Sequence, residues 1–202
     1  MQLTDMQLDA LREMANVGSG NAATALAGML GCPVDLSVPS AAVLALADAV
    51  EAVGSPDAEV TAVALPVFGE IEAIVLLTFK PEHARQLCGF LGIEYDADPE
   101  MALSALGEIG NILGSAYINA LGAMCGMALE PSPPQTATDM LGAIVASVLA
   151  SAAASNDMTL LLDSALMLEQ GGECEFGFLF VPNENGVAEV LGRLGLWGHE
   201  AA

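Results

Sequence analysis

Two short stretches of the chain carry the same polar pair at the same spacing. Glu13 and Asn16 stand in LREMAN (11–16), and Glu108 and Asn111 stand in GEIGN (107–111). Each pair reads E-x-x-N, and on a helix that spacing brings both side chains to one patch. The carboxylate offers a negative charge and acceptor oxygens. The amide offers two donors and an acceptor, enough to hold and orient a water molecule. No nucleophile or phosphate loop accompanies either pair. Gly18-Ser19-Gly20 lacks the Lys-Ser/Thr of a Walker loop and follows no strand, and Lys80 is the chain's single lysine. The chemistry that fits is positioning, without a covalent step. An ordinary solvated helix face would carry the same residue types, so the pairs gain weight from what surrounds them.

The surroundings are written twice. DALREMANVGSGNAATALAGMLG (9–31) lies over SALGEIGNILGSAYINALGAMCG (104–126) at a constant offset of 95 residues, without a gap. Asp9 meets Ser104, Glu13 meets Glu108, Asn16 meets Asn111, and further on Pro39 meets Pro134. A shared apolar frame together with matched Glu, Asn and Pro marks an internal duplication, with halves 1–95 and 96–202 of a single domain.

Helices must carry the pairs. Thr4 with Gln7 forms a capping box before the first, and Asp98 followed by Pro99 suits the start of the second. Leu8, Leu11 and Ala15 make an apolar stripe, with Asp9, Glu13 and Asn16 on another face. Met101, Ala105 or Leu106, and Ile109 repeat the stripe, opposite Ser104, Glu108 and Asn111. Glycines at 107, 110 and 114 weaken the second helix by roughly 1 kcal/mol each relative to alanine. Bare backbone beside the polar pair lets a second surface approach closely, as if the pair were built to reach into something else; helix–helix packing within the protein is the competing reason for the small residues.

After each helix the pattern turns to strands. Expected strands are 32–39, 59–68 and 70–79 in the first half and 158–170 and 174–182 in the second, with hairpin turns at Phe68-Gly69-Glu70 and Gly171-Gly172. Further helices are expected over 45–53, 81–91, 141–154 and about 186–194. The predicted fold is α/β (α+β type): helix, strand, helix, strand, strand, helix, twice over, sharing mixed sheet layers. The acidic segment Glu94–Pro99 connects the halves.

Composition limits the partners. The 202 residues carry 26 acids against four bases, Arg12, Lys80, Arg85 and Arg193, for a formal charge of -22. Such a chain repels nucleic acid and anionic membrane surfaces. Scattered acid with almost no lysine resembles proteins of extreme halophiles, and predicts stability that rises with salt as screening weakens self-repulsion. The N-terminus has neither the basic nor the apolar region of a signal peptide. The longest apolar stretch, Met140–Ala154, is shorter than the ~20 residues of a membrane span and reads as a buried helix. Cys32, Cys88, Cys125 and Cys174 form no CxxC and, with only His83 and His199 beside them, no zinc pattern. They read as small buried residues of a cytoplasmic protein.

The sequence resembles the CheC family of chemotaxis phosphatases, related to CheX and FliY. The family pattern is Asp or Ser, three residues, Glu, two residues, Asn, and Pro after a further 22. Asp9, Glu13, Asn16 and Pro39 match it, and so do Ser104, Glu108, Asn111 and Pro134. NVGSGNAATALAGMLG (16–31) is also close to the wording typical of CheC. The resemblance implies hydrolysis of the aspartyl phosphate of the response regulator CheY. It implies that Glu13 and Glu108 pair with a lysine of CheY, and that Asn16 and Asn111 enter its active site and orient a water in line with phosphorus. It assigns Asp9 and Ser104 a supporting role, and Pro39 and Pro134 a structural one. It implies no cofactor of the chain's own, with the divalent metal, Mg²⁺, held by CheY. It also suggests the receptor deamidase CheD as a partner, so a non-catalytic adaptor binding phosphorylated CheY or CheD is the alternative function.

Overall fold

The computed structural model describes residues 4–151, 158–168, 172–183 and 186–195. Among the described residues, six helices and seven strands follow one another as α1 (Asp5–Leu30), β1 (Val34–Ala45), α2 (Leu46–Val53), β2 (Glu59–Gly69), β3 (Ala73–Phe79), α3 (Pro81–Phe90), α4 (Pro99–Cys125), β4 (Leu129–Pro131), β5 (Gln135–Met140), α5 (Leu141–Ser151), β6 (Met158–Leu168), β7 (Gly172–Pro182) and α6 (Gly186–Arg193). The expected α/β class holds, and so does the element order, except that the single strand expected between α4 and α5 is two short strands, β4 and β5. The ends of the expected strand at 158–170 and helix at 141–154 lie outside the described residues, as does the Leu8 side chain.

The strands form one sheet in the order β1-β6-β7-β3-β2-β4, with β5 also beside β2. Exchanging β1 for β4/β5, β2 for β6 and β3 for β7 returns the same order reversed. The first strand of each half crosses over: β1 pairs with β6, while β4 and β5 pair with β2. A mixed sheet was expected, yet every pairing is antiparallel. The reason lies in the connections. β2–β3 and β6–β7 are hairpins, and the halves meet through the antiparallel β3–β7 pair, so no helical crossover delivers a strand to a parallel neighbour.

Strand alternation sends side chains to two faces. Val63, Leu65, Val75, Leu77, Phe178 and Phe180 point to the face covered by α1 and α4, where the larger core lies. Ala62, Leu76, Leu161 and Leu179 point the other way, under α2 and α5. Burial on the first face holds the site-bearing helices in place. Leu11, Met14, Ala15, Ala22 and Leu26 anchor α1, and Leu106, Ile109, Leu113, Tyr117 and Leu121 anchor α4. Removing a fully buried leucine such as Leu106 costs roughly 2–5 kcal/mol. Met101, expected in the α4 stripe, is instead 54% exposed. In that first turn the neighbouring Ala102 is the buried residue, with its carbonyl against Cys88 of α3.

The open question of the glycines is answered by packing. A Cβ on Gly110 would stand 2.6 Å from Val63 Cγ1, and one on Gly114 3.1 Å from both Leu65 δ-carbons. A Cβ on Gly18 of α1 would meet Tyr117 Cδ1 of α4 at 2.7 Å. Tyr117 packs in turn against Phe178 of the sheet, with the rings tilted by 53° and their centroids 4.8 Å apart. The glycines let two long helices seat closely on the sheet and on each other.

Candidate functional site

Local structure explains why each pair is presented. Thr4 Oγ1 accepts from the Gln7 N–H while Gln7 Oε1 accepts from the Thr4 N–H, which fixes the start of α1. Asp98 Oδ1 accepts from the Met101 N–H at 3.1 Å, with Pro99 in the first turn of α4. Both helices end on a left-handed glycine, Gly31 (φ 68°) and Gly126 (φ 64°), again 95 residues apart. With the apolar stripes committed to the sheet, the polar stripes face outward. Asp9, Glu13 and Asn16 are exposed on α1. Ser104 and Glu108 are exposed on α4, and Asn111 is half-buried. All six occupy the outer side of the helical layer.

The prolines sit behind the pairs as strand features. The pairing of β1 with β6 slips by one residue between Ser37 and Ser40, around Pro39. The pairing against β2 slips in the same way between Pro131 and Gln135, around Pro134. A residue without an N–H cannot donate to a ladder, and a one-residue bulge bends the strand. The bent strand of the second half comes against α4: a Cβ on Gly107 would lie 3.1 Å from Thr136 Cγ2 and 4.0 Å from Pro134 Cγ. β1 was expected to end at Pro39 but continues to Ala45, because the bulge restores pairing from Ser40 onward. The Pro39 side chain lies outside those described.

Two neighbours of the α4 pair were not singled out from sequence: Thr136, and Ser115. The Ser115 hydroxyl donates to Asn111 Oδ1 at 3.4 Å. The signal was available as a serine four residues after the asparagine. In α1 that position is Gly20, and the preceding Ser19 is buried and donates to the Asn16 backbone carbonyl at 2.9 Å.

All four Lys and Arg side chains are engaged with acids other than Glu13 and Glu108. Arg12 pairs with Asp9 (3.4 Å), Lys80 with Glu175 (3.0 Å), Arg85 with Asp96 (3.0 Å), and Arg193 with Glu70 (2.9 Å) and Glu189 (3.4 Å). None of them pairs with Glu13 or Glu108, so both carboxylates are available to an external cation. Burial pushes the Cys125 and Cys174 thiols up to about 11 and raises that of Cys88, which leaves them protonated packing groups. Cys32 is half-buried. Among the described residues, no three or more His, Cys, Asp and Glu side chains form a group that could hold a metal ion. Nor, among them, is any helix long and apolar enough to cross a membrane.

The fold is shared with solved structures of FliY and CheX. It matches Thermotoga maritima FliY with a TM-score of 0.77 at 18% identity, covering 96% of this chain and 98% of that one. It also matches Borrelia burgdorferi CheX, solved in complex with CheY, BeF3 and Mg²⁺, with a TM-score of 0.51 at 18% identity, covering 83% and 96% of the two chains. Sequence narrows the class. Residues 6–42 match the CheC-like family and residues 61–155 match the chemotaxis phosphatase CheX, so one Glu/Asn pair falls within each match. The chain is 31% identical over 170 residues to the CheY-P phosphatase CheC of Bacillus subtilis, covering 81% of each. The chain belongs to the CheC family.

Proposed function

We propose that this protein hydrolyses the aspartyl phosphate of CheY, with each Glu/Asn pair acting as one site. The observation that carries the proposal is the presentation of the pairs. Both stand on the outer side of sheet-backed helices, with the Glu13 and Glu108 carboxylates free of the four Lys and Arg side chains among the described residues. That arrangement suits insertion into another protein's active site. Glu13 and Glu108 would pair with a lysine of CheY and set the docking register. Asn16 and Asn111 would each hold one water through the amide, in line with the phosphorus. The water oxygen bonds to phosphorus as the bond from phosphorus to the aspartyl oxygen breaks. The electron pair of that bond leaves with the Asp carboxylate, and the water's proton ends on inorganic phosphate or solvent. An acyl phosphate is already activated, so positioning supplies most of what is needed. Mg²⁺ bound by CheY would supply charge stabilisation. The duplicated sequence and the reversible strand order support two sites of one origin.

The test is release of inorganic phosphate from phosphorylated CheY with and without this protein. Acceleration is expected. Binding of phosphorylated CheY without acceleration would favour the adaptor, for which CheD would then be the partner to try.

A further inference from the structure

The two sites differ in what stands behind the amide, and from that difference we infer that Ser115 is a positioning residue for Asn111, making the α4 site the faster of the two. The inference rests on the phosphatase reading above. Asn111 is half-buried, and the Ser115 hydroxyl donates to its Oδ1 at 3.4 Å. That bond is long, and exclusion of water by a docked partner would tighten it. It engages one lone pair of Oδ1. The second lone pair and both Nδ2 hydrogens remain to hold a water. The turn before Asn111 is also walled, because Gly107 admits Thr136 and Pro134 against the helix.

The α1 site lacks the serine, and its helix is not opened by a glycine one turn before the amide. The residue at the Gly107 position is Arg12, whose side chain is extended toward Asp9. The residue at the Ser115 position is Gly20, where a Cβ would meet nothing within 4 Å. The Ser19 hydroxyl is spent on a backbone carbonyl and does not reach the amide. Asn16 is therefore exposed, with more rotamers to lose before it aligns a water.

The experiment isolates each site on phosphorylated CheY. With Asn16→Ala in place, so that only the α4 site works, Ser115→Ala should lower kcat by about two- to tenfold, the worth of one modest hydrogen bond. KM and the melting temperature should hardly move, and Ser115→Thr, which keeps the hydroxyl, should restore kcat. In the opposite background, Asn111→Ala, Gly20→Ser should raise the kcat of the α1 site by a similar factor, because there is open space for the side chain. An unchanged kcat in both tests, or a loss in KM alone, would overturn the positioning role while leaving the phosphatase reading intact. That reading fails separately, if Asn16→Ala/Asn111→Ala hydrolyses CheY phosphate at the unmodified rate.

Discussion

The polar face of α1 and that of α4 carry the same Glu and Asn, on helices closed by the same left-handed glycine, and they are not equally built. On α4 a bulged strand closes on Gly107 and a serine reaches the amide. On α1 an arginine, ion-paired to Asp9, stands at the first position and a bare glycine at the second. The motif decides which atoms are available. The residues one turn away decide how far those atoms are fixed before a partner arrives, and that is where a positioning mechanism gains or loses rate. Two copies of one motif can thus share a chemistry while differing in preorganisation.

The largest effects fall on the asparagines. Asn111→Ala and Asn16→Ala should each remove on the order of 10²–10³ in rate at their own site. Total turnover should drop further with Asn111→Ala, and equal losses in steady-state phosphate release would erase the comparison. Next come the carboxylates. Glu108→Ala and Glu13→Ala should weaken binding of phosphorylated CheY severalfold in low salt, with the difference from the unmodified protein shrinking toward ~1 M salt, where the Debye length is roughly 3 Å. A binding defect indifferent to salt would break the docking role.

The helix seats give a smaller, structural contrast. Gly110→Ala drives a methyl into Val63 and should cost about 1–3 kcal/mol. That lowers the melting midpoint by roughly 2–4 °C for each kcal/mol. Gly20→Ala, with open space around it, should leave the midpoint unchanged or raise it, since alanine is the better helix former by up to about 1 kcal/mol. Reversal of that order in thermal melts would remove the packing account of the glycines. The smallest effect concerns Glu70, whose carboxylate accepts from the Ala128 N–H just beyond α4 and from Arg193. Those bonds hold it below the ordinary glutamate value of 4.5. A depressed folded-state value contributes stability above the unfolded value and loses it as pH falls through the folded one. Glu70→Gln should therefore melt slightly below the unmodified protein at neutral pH, and the gap should close in acid as the pH falls through the lowered folded value.

The helices that carry the two pairs, and most of the element order, were legible because they rest on local signals. The capping box at Thr4, Pro99 after Asp98, and the hairpin turns each act within a few residues, and the 95-residue offset exposed both pairs at once. The strand exchange was not legible, since the pairing of β1 with β6 is decided by which apolar faces meet across the whole chain. The extension of β1 past Pro39 was hidden for a related reason: a proline reads as a strand end unless a partner absorbs it as a bulge. Met101 fits the α4 stripe by spacing, and only the packing of α3 against the first turn shows that Ala102 is buried there instead. The glycines of α4 showed that something comes close, without saying whether it was Val63 and Leu65 or another molecule.

The account stands most directly on the doubly substituted protein. Asn16→Ala/Asn111→Ala should fold, should bind phosphorylated CheY through Glu13 and Glu108, and should leave phosphate release at the spontaneous rate of CheY alone. Release as fast as with the unmodified protein would contradict the assignment of the two amides to the chemistry.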